Sequence, residues 1–231
     1  MYLNLKEGAL LVADAHYPNH KKEQFLKLLN SINSNKIKTP QLILMGDIFD
    51  LLVGNSPYLK FKFKDEIKLL DEIAKKIEVI YLEGNHDFYL KLLFKNIKVI
   101  PLQKQPLLGK LKDKTIALSH GDIFITSLNY KIYTKVIRNP LILKILPDLI
   151  AKYKLKSMQK KSLCKDIKNF KDIVKQKRKL YKSDIIIEGH FHQGIVLNNY
   201  YALPSFACNE KFAVVKSTKI EYKKIEDIIK F

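Results

Sequence analysis

The sequence is short of arginine, of cysteine and of long apolar runs, and each shortage closes off a class of function. Arg138 and Arg178 are the only arginines among 42 basic residues, set against 23 acidic ones, so lysine carries nearly all of the +19 formal charge. Lysine is a flexible point charge and a poor tool for bidentate reading of base edges, so the excess does not describe a sequence-specific nucleic-acid binder. The sequence offers no basic strand interleaved with aromatics and no basic recognition helix, so only salt-dependent, nonspecific nucleic-acid binding is expected. A field of this sign does attract polyanionic small substrates and anionic lipid.

Cys164 and Cys208 are the only cysteines, and they form no close pair and no ligand-like spacing. The expectation is two reduced thiols in a cytosolic protein, with neither a disulfide framework nor a thiolate zinc site. No run of about 18 apolar residues exists, so no membrane-spanning helix is expected. Residues 8–13 are too short a run for a signal peptide. There is no internal repeat and no low-complexity linker. A chain of 231 residues, 47% hydrophobic, can bury one sizeable core, and the whole of 1–231 reads as a single α/β domain.

Short apolar runs over residues 8–13, 41–45, 78–82, 97–100, 115–119 and 184–188 read as buried strands. Residues 21–34, with Phe25, Leu28, Leu29 and Ile32 on one face, and residues 63–77 read as amphipathic helices. A short helix is expected from about Asp87. The tail, 194–222, alternates short strand-like runs at 195–197 and 213–215 with turn signals. Early βαβ alternation predicts a largely parallel central sheet, and the strand-rich end a mixed or second sheet. Residues 128–181 differ: helical in pattern, rich in lysine and broken by Pro140 and Pro147, they read as a helical cap inserted between two strands.

Five motifs each follow one of these strands: Asp14-Ala-His16, Gly46-Asp47, Gly84-Asn85-His86-Asp87, His120-Gly121-Asp122 and Gly189-His190-Phe191-His192. The carboxyl ends of strands are where an open α/β sheet places its ligands. Asp and His one residue apart can turn toward one ion, and a lone carboxylate such as Asp47 can bridge two. Nitrogen and oxygen donors without thiolate suit Mn, Fe, Zn, Co or Ni. Singly, each motif is weak, but five of the six histidines fall inside them and only His20 lies outside. Asp50, Asp122 and Glu188 are candidates for support around the ligands.

This series closely resembles the calcineurin-like metallophosphoesterase superfamily over residues 14–192. The resemblance implies a four-layer αββα sandwich and two divalent cations. One cation would take Asp14, His16, Asp47 and His192; the other would take Asp47, Asn85, His120 and His190. It implies a metal-dependent hydrolase in which His86 stabilises the transition state or protonates the leaving group, with Asp87 holding its ring.

The motif series, the helical insertion and residues 203–215 are most similar to the UDP-2,3-diacylglucosamine diphosphatase family of lipid A biosynthesis. That likeness implies cleavage of a UDP-linked diacylated sugar to UMP and 2,3-diacylglucosamine 1-phosphate, with Mn2+ as the usual cofactor. Ser157, Lys160 and Lys161 fall where that family places substrate contacts. The basic, amphipathic insertion suits acyl chains beside a diphosphate and peripheral docking on the anionic inner face of the cytoplasmic membrane. Two positions depart from the pattern: His86 stands where the family's best-known members carry arginine, and Ser127, Leu128 and Asn129 replace an acidic pair. The alternative is a generic metallophosphoesterase for nucleotides, cyclic nucleotides or phosphoproteins.

Overall fold

Strands form where the short apolar runs meet turn residues, and helices where the apolar spacing changes to three and four. The computed structural model describes residues 2–125, 127–139, 147–158, 163–217 and 219–228. In chain order its first half contains β1 (Leu3–Asn4), β2 (Leu10–Val12), α1 (Lys22–Asn33), β3 (Gln41–Leu44), β4 (Leu52–Val53), α2 (Pro57–Lys62), α3 (Lys64–Lys76), β5 (Glu78–Leu82), β6 (Asp87–Phe88) and β7 (Lys98–Ile100). Then come β8 (Leu107–Leu111), β9 (Lys114–Ser119), α4 (Leu128–Ile137), α5 (Pro147–Met158) and α6 (Phe170–Arg178). The chain closes with β10 (Ile185–Glu188), β11 (Ile195–Leu197), β12 (Tyr200–Ala202), α7 (Phe206–Asn209), β13 (Phe212–Lys216) and β14 (Lys219–Lys223).

Two six-stranded sheets result. One runs β14-β13-β2-β3-β5-β7 and is parallel from β2 to β7; the other runs β1-β8-β9-β10-β12-β11 and is parallel across β9, β10 and β12. The two-residue period of a strand divides each buried run between two cores. Leu10, Val12, Leu42, Leu44, Val79 and Tyr81 face α1 and α3, meeting Phe25, Leu28, Leu29, Ile67, Leu70 and Ile73. Leu11, Ile43, Met45, Ile80 and Leu82 face the other sheet and meet Ile116, Leu118, Ile185 and Ile187. On that sheet's outer face, Ala117, Ile186, Tyr200 and Ala202 are covered by Phe170 and Val174 of α6. The order of layers is helix, sheet, sheet, helix: a four-layer αββα sandwich.

The three helices described between β9 and β10 therefore do different work. While α6 is the fourth layer, α5 packs on α2, where Asp148 accepts from Ser56 Oγ at 2.7 Å and from the Tyr58 amide at 3.2 Å. Pro140, Leu141, Ile142, Leu143, Lys144, Ile145 and Leu146 lie outside the described residues. No helix among the described residues is long and apolar enough to cross a membrane.

Two sequence expectations are corrected. No helix begins at Asp87: residues 87–88 pair in parallel with Leu52–Val53, and only a 3-10 turn, Leu90–Leu92, follows. Tyr89, at φ 57°, breaks the right-handed course between them. The second correction concerns cysteine. Cys164 and Cys208 are joined in a disulfide, with Cα atoms 5.6 Å apart across 44 residues of chain. Spacing along the sequence carried no sign of this, because the sandwich returns α7 to the loop that precedes α6.

Candidate metal centre

Each candidate ligand stands just past a strand end, and the backbone there is bent to aim it. Asp14 follows β2, Asp47 follows β3 and Asn85 follows β5, all from one sheet; His120 follows β9, and His190 and His192 follow β10, from the other. Asp14, His16, Asp47, His190 and His192 all have positive φ, between 46° and 65°. A left-handed non-glycine residue costs on the order of 1–3 kcal/mol, and such strain gathers where function demands an orientation. Two glycines let the loops close in. A Cβ on Gly46 would sit 2.4 Å from His120 Nδ1, and one on Gly84 would sit 2.2 Å from Asp47 Oδ1.

The seven expected ligands converge into two adjoining clusters. Donor atoms of Asp14, His16 and His192 lie within 4.8 Å of one another, and so do those of Asp47, His120 and His190. Within the clusters His192 Nε2 is 3.4 Å from Asp14 Oδ1, and His120 Nε2 is 3.4 Å from Asp47 Oδ2, 3.2 Å from Asn85 Oδ1 and 3.2 Å from His190 Nδ1. Donors that are neighbours around a cation, with bonds of about 2.1 Å, stand about 3 Å apart. Both ring nitrogens of His16 are buried with no hydrogen-bond partner; the Asp50 carboxylate, 3.6 Å away, is too far to serve. An orphaned buried imidazole is costly unless something completes it, and a cation would. The nitrogen and oxygen donor set, without thiolate, fits a pair of divalent first-row ions.

Backbone carbonyls choose the tautomers. His120 Nδ1–H donates to Met45 O at 2.9 Å, and His192 Nδ1–H donates to Leu163 O at 2.9 Å, so each presents Nε2 to its cluster. Burial pushes the Asp47 carboxyl up, but His86, His120 and His16 outweigh it and hold the group well below the usual carboxylate range. Burial and the adjacent His120 press His190 down to about 4, so it is a neutral donor at pH 7.

His86 sits at the rim. Its amide donates to Asp47 Oδ1 at 2.9 Å and its Nε2 lies 3.8 Å from Asp47 Oδ2. Asp87 does not hold this ring, contrary to the sequence expectation. Its carboxylate is fully buried and accepts from the amides of Asp47 (3.0 Å), Ile48 (2.7 Å) and Gly84 (2.8 Å) and from Tyr81 Oη (2.5 Å). With its oxygens taken, Asp87 braces the two ligand loops, and the ring is held elsewhere, by the carbonyl of Asp50.

Three supporting groups play parts at the site that the sequence does not signal. The Arg138 guanidinium donates to Gly84 O and lies over the Phe88 ring, 4.9 Å from its centroid, while the Arg138 carbonyl accepts from Tyr89 Oη at 2.7 Å. This residue, at the end of α4, clamps the Asn85–His86 loop. The charge of Lys154 on α5 helps depress the His86 imidazole, after burial and despite Asp47. Gln105 accepts from the His120 amide at 2.7 Å and donates to Glu83 O at 2.7 Å. At the end of β10, Glu188 accepts from Ser119 Oγ at 2.9 Å, from Tyr181 and Tyr200, and from Lys177 Nζ at 2.9 Å; Lys177 also donates to Gly121 O at 2.6 Å. Of the expected substrate contacts, Ser157 Oγ donates to Lys154 O at 2.8 Å within its own helix, and Lys160 and Lys161 lie outside the described residues.

Comparison with known proteins matches residues 9–194 to the calcineurin-like phosphoesterase family, whose members use a dimetal centre. Among relatives, a UDP-2,3-diacylglucosamine hydrolase of Histophilus somni is 24% identical, over 81% of this chain and 85% of the relative. One of Photorhabdus laumondii is 26% identical, over 81% and 82%. Among solved structures, a nuclease of Pseudomonas putida is similar at 15% identity and TM-score 0.42, covering 93% of this chain and 87% of its own.

Proposed function

The chain belongs to the calcineurin-like phosphoesterase family and is a metal-dependent phosphoester hydrolase, and we propose that its substrate is UDP-2,3-diacylglucosamine, cleaved at the pyrophosphate to UMP and 2,3-diacylglucosamine 1-phosphate. One observation carries this reading: apolar side chains stand in water on the two helices beside the metal centre. Leu128, Ile132 and Val136 of α4 are 69%, 52% and 49% exposed at four-residue spacing, and Leu149 and Tyr153 of α5 are 64% and 77% exposed. Contiguous exposed apolar surface usually has a partner. In this reading α4 and α5 are the cap of one domain, and acyl chains occupy its apolar stripes. Lys135, Lys152 and Lys156, exposed on the same helices, face the anionic lipid. The names of the relatives support the same substrate.

Two divalent cations, Mn2+ in this proposal, would supply Lewis acidity and a lowered water pKa for in-line displacement at phosphorus. The chain's own groups do the rest. Asp47, its carboxyl held ionised, would be the carboxylate shared by the two ions. Asp14, His16 and His192 would hold one ion; Asn85, His120 and His190 would hold the other. His86 offers Nε2 to the phosphoryl oxygens or the leaving oxygen, and Lys154 adds positive charge on the cap side. The protein works in the cytoplasm, resting on the inner face of the membrane.

Parallel assays on UDP-2,3-diacylglucosamine and on a chromogenic phosphodiester test the proposal. The expected result is a preference for the lipid, lost when Leu128, Ile132 and Val136 are together changed to serine while diester hydrolysis persists. Hydrolysis of the diester with none of the lipid would instead favour nucleotides, cyclic nucleotides or phosphoproteins.

A further inference from the structure

The disulfide joins two segments that each hold a ligand of the same cluster. On one side, Leu163 O takes the Nδ1–H of His192, and residues 165–167 pair with its neighbour: Gln193 Nε2 donates to Lys165 O at 3.1 Å, and the Ile167 amide donates to Gln193 Oε1 at 3.1 Å. Cys164 lies inside this segment. On the other side, α7 is strapped to β2 and its loop. The Phe206 amide donates to Ala13 O at 3.0 Å, the Ala207 amide to Asp14 O at 3.1 Å, and Ser205 Oγ to Asp14 O at 2.8 Å. Cys208 lies on that helix. The path of contacts therefore runs His192, Leu163, Cys164, Cys208, α7, Asp14: hydrogen bonds at its two ends and the disulfide as its covalent middle.

The two ends are not equally secure. Asp14 sits at the end of a central strand, fully buried, with α7 bonded to its carbonyl. The 163–167 segment is mostly exposed, and Cys164 itself is open to solvent while Cys208 is partly covered. Cutting the bond releases the His192 side first. A partner that orients a metal-bound histidine is worth about 10–100-fold in metal affinity.

We infer that Cys164–Cys208 is a redox-reactive site, its reductant class a small dithiol, whose state sets the metal affinity of the Asp14, His16 and His192 cluster. In the step, the dithiol gives two electrons and two protons; the Cys164–Cys208 bond breaks, two thiols form, and the reductant leaves as its own disulfide. The reduced protein is expected to keep the affinity of the Asp47, His120 and His190 cluster, because Asp47 and His120 are held by other partners, the His86 amide and the Met45 carbonyl. This rests on the dimetal reading above.

The test is calorimetric titration of Mn2+ into the full chain, oxidised and after dithiothreitol treatment and removal, with free thiols counted in each sample. Expected are no thiols and two binding events in the oxidised protein. In the reduced protein, two thiols appear and one event weakens by about tenfold while the other holds. Cys164→Ser should show the weaker event whatever the treatment, and His16→Ala should remove the event that responds. Unchanged affinities once two thiols are counted, or two thiols persisting after oxidant, overturns the inference and leaves the dimetal reading standing. Absence of Mn2+ binding in both states overturns both.

Discussion

The Nδ1–H of His86 donates to the backbone carbonyl of Asp50 across 2.8 Å, which turns Nε2 toward Asp47 Oδ2, 3.8 Å away. A carbonyl can only accept, so the tautomer is fixed without any carboxylate behind the ring. The imidazole is partly buried, and that burial presses it below its ordinary range against the pull of Asp47.

His86→Ala should lower kcat by about 10²–10⁴-fold, the usual share of a general acid or a positioned transition-state donor. Metal content should stay at wild type, because the clusters are built from other side chains. Steady-state kinetics beside elemental analysis read both at once.

Asp47 is the carboxylate common to both proposed coordination sets. Asp47→Ala should reduce turnover to background and cost at least one of the two metals. A variant that kept both metals and normal turnover would dismiss the bridging role.

Arg138 clamps the Asn85–His86 loop with one guanidinium N–H on Gly84 O and a face laid on Phe88. Arg138→Met should lower kcat by about 10–100-fold through misplacement of that loop. Arg138→Lys should fail to restore it, because an ammonium does not lie flat on an aromatic face as a guanidinium does. Full rescue by lysine would reduce the residue to a simple charge.

Asp87 has a structural task, and its loss should appear as instability. Asp87→Ala orphans three buried amides and the Tyr81 hydroxyl, a loss of about 3–5 kcal/mol. Denaturant unfolding of the variant measures it.

Glu78 shows how the surface responds to acid. Burial pushes its carboxyl up, but Lys98, Gln41 and Lys6 outweigh that and bring it from 4.5 to about 2. A group depressed on folding stabilises above its unfolded value and loses that contribution as pH falls through the folded one. Thermal unfolding should therefore show wild type ahead of Glu78→Gln at pH 6, with the gap closing between about pH 4.5 and 2.

The strands and their terminal motifs were readable because a buried parallel sheet writes itself as continuous apolar runs, and five histidines fell beside them. Strand β8 was missed: Gly109 and Lys110 interrupt its apolar pattern, while its alternate residues Leu107 and Leu111 are buried. The short α2, too, carries Tyr58 and Phe61 among lysines without a helical stripe, and its place is set by Ser56 and by Asp148 of α5. Arg138, Lys154, Gln105 and the cysteine pair were invisible for a different reason. Each matters only through a neighbour 15 to 68 positions away, and no local period encodes such a meeting.

Three of the seven ligands hang from one sheet and three from the other, with His16 just beyond Asp14, so the seam between the sheets is also the gap that sets their spacing. Ile43 and Leu118 fill that seam below the centre. A methylene gained or lost there would act as a shim, altering the reach between Asp47 and His120 from a distance. Catalytic defects in this chain are thus to be sought among its greasiest interior positions as well as among its histidines.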